Sequence, residues 1–225
     1  MVTSSFANSK LGNGEVKVLK DNENVRIVEG DDDKETIKMI VNKKKNTCEI
    51  IITKKSTKKT ITKEIKLNSG VSNNKTLVES DSLSKSSANN YQKTYLNYEY
   101  FKTYSSPNEW ELRRPDTPFV SYHWFDTEER DENREYLDAF ADDVEEINDL
   151  EVITIASIGV AALMDLATIR AAFTAFASGG TLTPLFWEVA VASIGVNEGA
   201  AAWLYELDVA CTSAFDNYQE ALKFE

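Results

Sequence analysis

Between residues 15 and 67 apolar and polar positions alternate, the period-two signature of strands with one buried and one wet face. The apolar positions fall into five sets: Val16 and Val18; Val25 and Ile27; Ile37, Met39 and Val41; Cys48, Ile50 and Ile52; Ile61, Ile65 and Leu67. Turn-forming clusters separate them at Asp21-Asn22, Gly30 to Asp33, Asn42 to Asn46 and Lys55 to Lys58. This pattern predicts an antiparallel meander of four or five strands. Residues 68–90, rich in Ser, Asn and Lys with few apolar anchors, read as a polar linker.

The character changes at residue 91. Eleven aromatic side chains fall between Tyr91 and Phe125, and the alternation Tyr98, Tyr100, Lys102, Tyr104 predicts one or two extended segments. So dense an aromatic stretch is either a carbohydrate- or interface-binding surface or the packing layer between a sheet and helices. Helices follow. Asp126 with Glu129 three positions on predicts an N-terminal cap. Tyr136, Leu137, Phe140, Val144 and Ile147 then recur at helical spacing.

Residues 150–207 carry only six charges, and a hexapeptide there repeats: Ile155-Ala156-Ser157-Ile158-Gly159-Val160 returns as Val191-Ala192-Ser193-Ile194-Gly195-Val196. Gly179-Gly180 supplies a stop, Thr183 a cap and Pro184 a first helical residue, so two apolar helices over 152–178 and 184–205, joined by a tight turn, are expected. The predicted fold class is α+β. Its segments are a β domain over 1–67, a linker over 68–90, and an aromatic layer with a helical domain over 91–225, built around the hairpin 150–207.

A membrane-spanning helix needs about 20 apolar residues. Asp165 ends one uncharged run, and Gly179, Gly180 and Pro184 interrupt the other. The hairpin is therefore no permanent anchor. It is the close-packed inside of a bundle, a partner-binding element, or a pair of helices released to lipid on contact. Its small residues permit close approach, and Gly195 and Gly199 have the small-xxx-small spacing favoured in bilayers. On the lipid reading the membrane-active residues are Ile155, Ala156, Ile158, Gly159, Phe173, Phe176, Gly179 and Gly180 in the first arm and its turn. Phe186, Trp187, Ile194, Gly195, Gly199 and Trp203 are those of the second arm.

Charge divides the chain. The net charge of −12 is the sum of +5 over residues 1–89 and −17 over the remainder. Lys43, Lys44, Lys45, Lys54, Lys55, Lys58 and Lys59 are either solvated turn residues or the groups that attract an anionic cell envelope. The basic part lacks arginine readers and is tied to an acidic body, so nucleic acid is not expected as a partner.

Chemistry is sparse. His123 is the single histidine, set between Tyr122 and Trp124, and reads as structural. There is no nucleophile elbow, paired histidine, CxxC or phosphate loop, and Asp31-Asp32-Asp33 lacks the spacing of a calcium loop. No cofactor, no metal and no enzymatic activity are expected. The one enzymatic alternative is a cell-wall glycan hydrolase, because that chemistry needs only two placed acids. Cys48 and Cys211 form either one bridge or two buried thiols. The start lacks a basic patch and an apolar core, so the chain either stays inside the cell or is a mature secreted protein, and Gly12-Asn13-Gly14, which resembles a frayed mature end, favours the second.

The order of the meander with Val41-Asn42-Lys43-Lys44-Lys45-Asn46-Thr47, then Tyr98-Glu99-Tyr100, then Trp110-Glu111-Leu112-Arg113-Arg114-Pro115, then the Ala/Gly-rich helical end, resembles the large unmodified, geobacillin-type bacteriocins of Gram-positive bacteria. The resemblance implies a secreted antibacterial protein that kills related strains without enzymatic chemistry. Its partners would be the target-cell envelope or membrane, with a receptor or an immunity protein. A non-enzymatic envelope-associated binding module or inhibitor is the second expectation, in which the tyrosine-rich layer is exposed and the hairpin stays buried.

Overall fold

A computed structural model describes residues 14–67, 89–117, 121–174, 182–196 and 199–225. The architecture is α+β. The chain divides into two compact units, Met1–Gly70 with Ile153–Glu206, and Val71–Val152 with Leu207–Glu225. These differ from the segments drawn on the sequence, because residues 153–206 group with the first sheet.

In the first unit the expected meander is present as five antiparallel strands in chain order: β1 (Glu15–Asp21), β2 (Val25–Asp31), β3 (Glu35–Asn42), β4 (Thr47–Lys54) and β5 (Lys59–Lys66). Val16, Val18, Ile37, Met39, Val41, Cys48, Ile50 and Ile52 face the core as their alternation predicts. In β2 the expected face is reversed. Val25 and Ile27 are only half-buried, while Val28 and Gly30 point inward. Gly30 decides this. A Cβ there would lie 2.4 Å from Val189 Cγ2 and 2.9 Å from Leu185 Cδ1, so the missing side chain is the seat of a helix.

The helices are α1 (Arg134–Ile158), α2 (Val160–Thr174), α3 (Pro184–Ile194) and α4 (Ala200–Leu222). The structure corrects the two-helix hairpin. Each copy of the repeated hexapeptide ends a helix at its glycine, in the left-handed conformation that favours this residue: Gly159 at φ 82° and Gly195 at φ 76°. Helix α1 runs unbroken through residue 150 into the apolar stretch, and α2 departs from it at a bend of 119°. Gly195 caps α3, and Gly199 sits in the turn before α4, so the two share no helix face.

Helix α3 is the centre of the first core. Its residues Leu185 to Ser193 are buried without a break, Glu188 and Ser193 included, as expected of a helix with almost no polar face. Its start follows the sequence reading: the Thr183 hydroxyl accepts from the Phe186 N–H at 3.3 Å, with Pro184 at the first position. The same hydroxyl donates to Glu35 Oε1 at 2.6 Å, which ties the cap to β3. Lys63 Nζ on β5 donates to the Ala172 carbonyl of α2 at 2.9 Å, a tie between this helix and the sheet.

The second unit holds a full sheet where one or two extended segments were expected: β6 (Asn89–Lys93), β7 (Glu99–Thr103), β8 (Glu109–Thr117) and β9 (Ser121–Glu128), antiparallel in chain order. Asn89 and Asn90, read as linker, open β6. Asp126 belongs to β9 and caps nothing; α1 begins at Arg134, after the buried Asn133, whose side chain accepts from the Arg130 N–H at 2.7 Å.

One face of this sheet packs on helix. Tyr98 donates to the Cys211 carbonyl at 2.9 Å, Tyr100 donates to Glu145 at 2.9 Å, and Phe125 meets Tyr218 edge-on at 5.0 Å. Leu137, Phe140, Val144 and Ile147 are buried, as the helical spacing predicts. The turn between β6 and β7 rests on Glu151, which accepts from the Tyr95 and Leu96 N–H groups at 2.6 and 2.7 Å. Burial outweighs these bonds and pushes the Glu151 carboxyl up to about 7. Cys48 and Cys211 are two buried thiols rather than one bridge, and burial raises the Cys48 thiol to about 12.

Candidate binding face

The residues expected to form a membrane-active hairpin are not gathered into one surface. Phe186 and Trp187 are buried in α3, with rings 5.7 Å apart and edge-to-face, and Ile194 is half-buried at its end. Gly195 lies against Arg26, whose guanidinium would be 3.1 Å from a Cβ at that position. Around the first copy the surface is open: Ala156 and Gly159 are exposed, Ile155 and Ile158 half-buried, and a Cβ at Gly159 would meet nothing within 4 Å. Trp203 is partly exposed on α4. Only the backbone of Phe173 is described, and Phe176, Gly179 and Gly180 lie outside the described residues. Among the described residues no single helix is long and apolar enough to cross a membrane; the bent α1–α2 pair meets that criterion only together.

The lysines likewise do not form one patch. Lys43, Lys44 and Lys45 occupy the β3–β4 turn, whereas Lys54, Lys55, Lys58 and Lys59 surround the β4–β5 turn at the other end of an eight-residue strand, about 26 Å away. Asp21 pairs with Lys43 at 2.6 Å and Asp31 with Lys55 at 2.8 Å. Lys54 and Lys59 stand directly opposite each other across β4 and β5.

The register of the second sheet shows what composition could not. Its core face takes the rung Gln92, Tyr100, Leu112, Phe125 and the rung Lys102, Trp110, Thr127. The opposite, open face carries three rungs. One is Tyr91, Phe101, Glu111, Asp126; the next is Lys93, Glu99, Arg113, Trp124; the third sets Thr103, Glu109 and Glu128 side by side. Tyr122 stands opposite Pro115 beyond them.

This face has two parts. The first is an aromatic strip. Trp124 is 55% and Tyr122 51% exposed, on an edge strand, and the Arg113 guanidinium lies 5.1 Å from the Tyr122 ring centre. Glu99 holds Arg113 at 3.3 Å, and Glu111 also binds it. Arg113 is thereby held beside the Tyr122 ring. Tyr91 hydrogen-bonds Glu99; burial, then that bond, raises its hydroxyl to about 12, so the ring stays neutral. The second part is a groove of about 510 Å³ whose lining joins Phe101, Glu109, Glu111, Asp126 and Glu128 of this face to Trp110 and Thr127 of the core rung and to Phe224.

Behind the face, Glu129 fastens the sheet to the start of α1. It accepts from Asn108 at 3.0 Å, Trp110 Nε1 at 3.0 Å and Arg134 Nε at 2.9 Å, and pairs with Lys102 at 3.2 Å. Burial works against its charge, but these four donors outweigh burial and hold the carboxyl at about 2. His123 stands opposite Arg114 at the exposed end of the core face.

Sequence reasoning named the aromatic stretch but not which of its rings are exposed, and it singled out none of the acids. No protein-family model, curated protein or solved structure matches the chain.

Proposed function

We propose that this chain is a non-enzymatic, envelope-associated binding protein, and that the open face of its second sheet is the recognition surface. The single observation that carries this reading is the exposure of Trp124 and Tyr122 beside a fixed Arg113, on a sheet whose other face already buries Tyr98, Tyr100, Trp110 and Phe125. Exposed aromatics of this size are spent where a partner covers them. Flat rings flanked by Glu99, Glu111 and Arg113 suit a glycan, whose ring faces stack and whose hydroxyls accept and donate. Co-sedimentation with purified Gram-positive cell walls tests it. Wild-type protein is expected in the pellet, and Trp124→Ala with Tyr122→Ala in the supernatant, with affinity lower by about 30-fold for a loss of about 2 kcal/mol. Equal sedimentation of both proteins would overturn the reading.

A second reading, the secreted bacteriocin that acts on the membrane, is supported by a different observation. Val152, Ile153 and Val160 are exposed around the α1–α2 bend, and that pair has the length and composition of a broken span. Dye release from anionic liposomes, with clearing of sensitive Gram-positive lawns, is its test. Lawns that clear while vesicles stay sealed would leave binding as the mode of killing.

A further inference from the structure

Two consecutive arginines on β8 are treated differently by the fold. Arg113, on the open face, is paired with Glu99 and Glu111. Arg114, on the other face and half-buried, has no carboxylate partner among the described residues, although residues 90–225 carry a net charge of −17. What surrounds it is aromatic. Its guanidinium carbon lies 5.0 Å from the Phe215 ring centre and 5.2 Å from that of Tyr218, two rings one turn apart on α4. A guanidinium is weakly hydrated on its faces and keeps its donors in its plane, so rings can cover it and still leave an edge for a partner. Among the described residues its one hydrogen bond runs from Nη1 to the Pro115 carbonyl at 3.2 Å, while Nε is buried without an acceptor. Nη2 keeps its donors. Directly opposite on β9 stands the exposed His123, a second base where a strand pair would ordinarily set an acid. A charge partly withdrawn from water without a counter-ion costs free energy, which a bound anion offsets.

We infer that Arg114 and His123 form an oxyanion site at the end of the second sheet, which takes a carboxylate or phosphate group on the free edge of the guanidinium with the imidazole as a second donor. The chemistry of the edge selects this class. Two oxygens held in one plane match the guanidinium fork, whereas a halide offers a single point to it. The Phe215 and Tyr218 rings fix the plane of the fork in advance, so little side-chain freedom is lost when the anion arrives. The site lies on the face opposite Trp124 and Tyr122, so it stands or falls separately from the glycan reading.

His123 is the only histidine of the chain, so its ring Cε1 proton gives a single NMR signal. Titration of the full chain with inorganic phosphate and with acetate, at fixed pH and against chloride of equal ionic strength, tests the site. A saturable shift of that signal and of the Arg114 Nε–H is expected with phosphate or acetate and not with chloride, and the tighter of the two tells which group the natural ligand carries. Arg114→Gln should weaken the response about tenfold, as the loss of a charge-assisted hydrogen bond implies. Arg114→Lys keeps the charge and loses the fork, so it should weaken the response severalfold, and it decides the matter if the glutamine variant does not fold. Trp124→Ala should leave the response unchanged. No saturable shift with either oxyanion, an equal response to chloride, or an undiminished response in a folded arginine variant would overturn the inference.

Discussion

The two copies of the repeated hexapeptide share five of their six residues in order, and both finish a helix at a left-handed glycine, yet they live in opposite surroundings. At the first copy Ala156, Ser157, Gly159 and Val160 are exposed; at the second Val191, Ala192 and Ser193 are buried under the first sheet. Local sequence thus sets the backbone event, a helix that stops after Ile-Gly. Tertiary contacts set everything else. The second copy is locked because Gly30 lets α3 descend onto β2 and because Thr183 and Glu35 hold the start of that helix. The first copy has no such seat.

The largest effect should come from unmaking that lock. Trp187→Ala, inside α3, is expected to cost about 3–5 kcal/mol in chemical denaturation. Filling the seat with Gly30→Val should cost about 3 kcal/mol or more, since overpacking that forces a backbone shift lies at the upper end of its range. Either variant retaining wild-type stability would break the contrast between the copies.

Four residues before the first copy, on α1, Glu151 holds the turn between β6 and β7. Its carboxyl is raised from about 4.5 to about 7, so its contribution is full below pH 4.5 and is lost as pH rises through 7, about 3 kcal/mol in all. Glu129 works in the other direction. Its carboxyl is depressed to about 2, so its contribution is full above pH 4.5 and is lost as pH falls towards 2. The second unit should therefore be most stable near pH 4.5. Glu151→Gln should flatten the decline between pH 5 and 8, and an unchanged slope in that variant would assign the decline elsewhere.

Smaller effects separate the two glycines. Gly159→Ala forces a side chain into the left-handed region but meets open space, at a cost of about 1 kcal/mol. Gly195→Ala adds the Arg26 contact at 3.1 Å and should cost more, about 2 kcal/mol. Smallest of all, Val160→Ser on the exposed side of the bend should change stability by no more than about 0.5 kcal/mol.

The meander, the cap at Thr183 and Pro184, and the amphipathic stretch through Phe140 and Ile147 were legible because each follows a period or a capping rule. The breaks at Gly159 and Gly195 were not. A lone glycine inside an apolar run costs a helix only about 1 kcal/mol, so nothing local distinguishes a stop from a tolerated residue. The reversed face of β2 was hidden for a related reason: Val25, Ile27 and Val28 are all apolar, and the deciding residue, Gly30, has no side chain to count. On the second sheet both faces carry aromatics, so alternation could not say that Tyr100 and Trp110 turn inward while Tyr91 and Trp124 turn out. The acid rungs became visible only with the strand register, which places Glu109 beside Glu128 across a turn of unpredicted length.

That α3 is a locked core element, leaving recognition to the open sheet face, is tested most directly by hydrogen exchange of the amides of residues 187–193 with and without anionic vesicles. They should be the slowest of the first unit and unmoved by lipid, while residues 155–162 exchange early. Amides of α3 that exchange early, or lose protection when vesicles are added, would contradict the account.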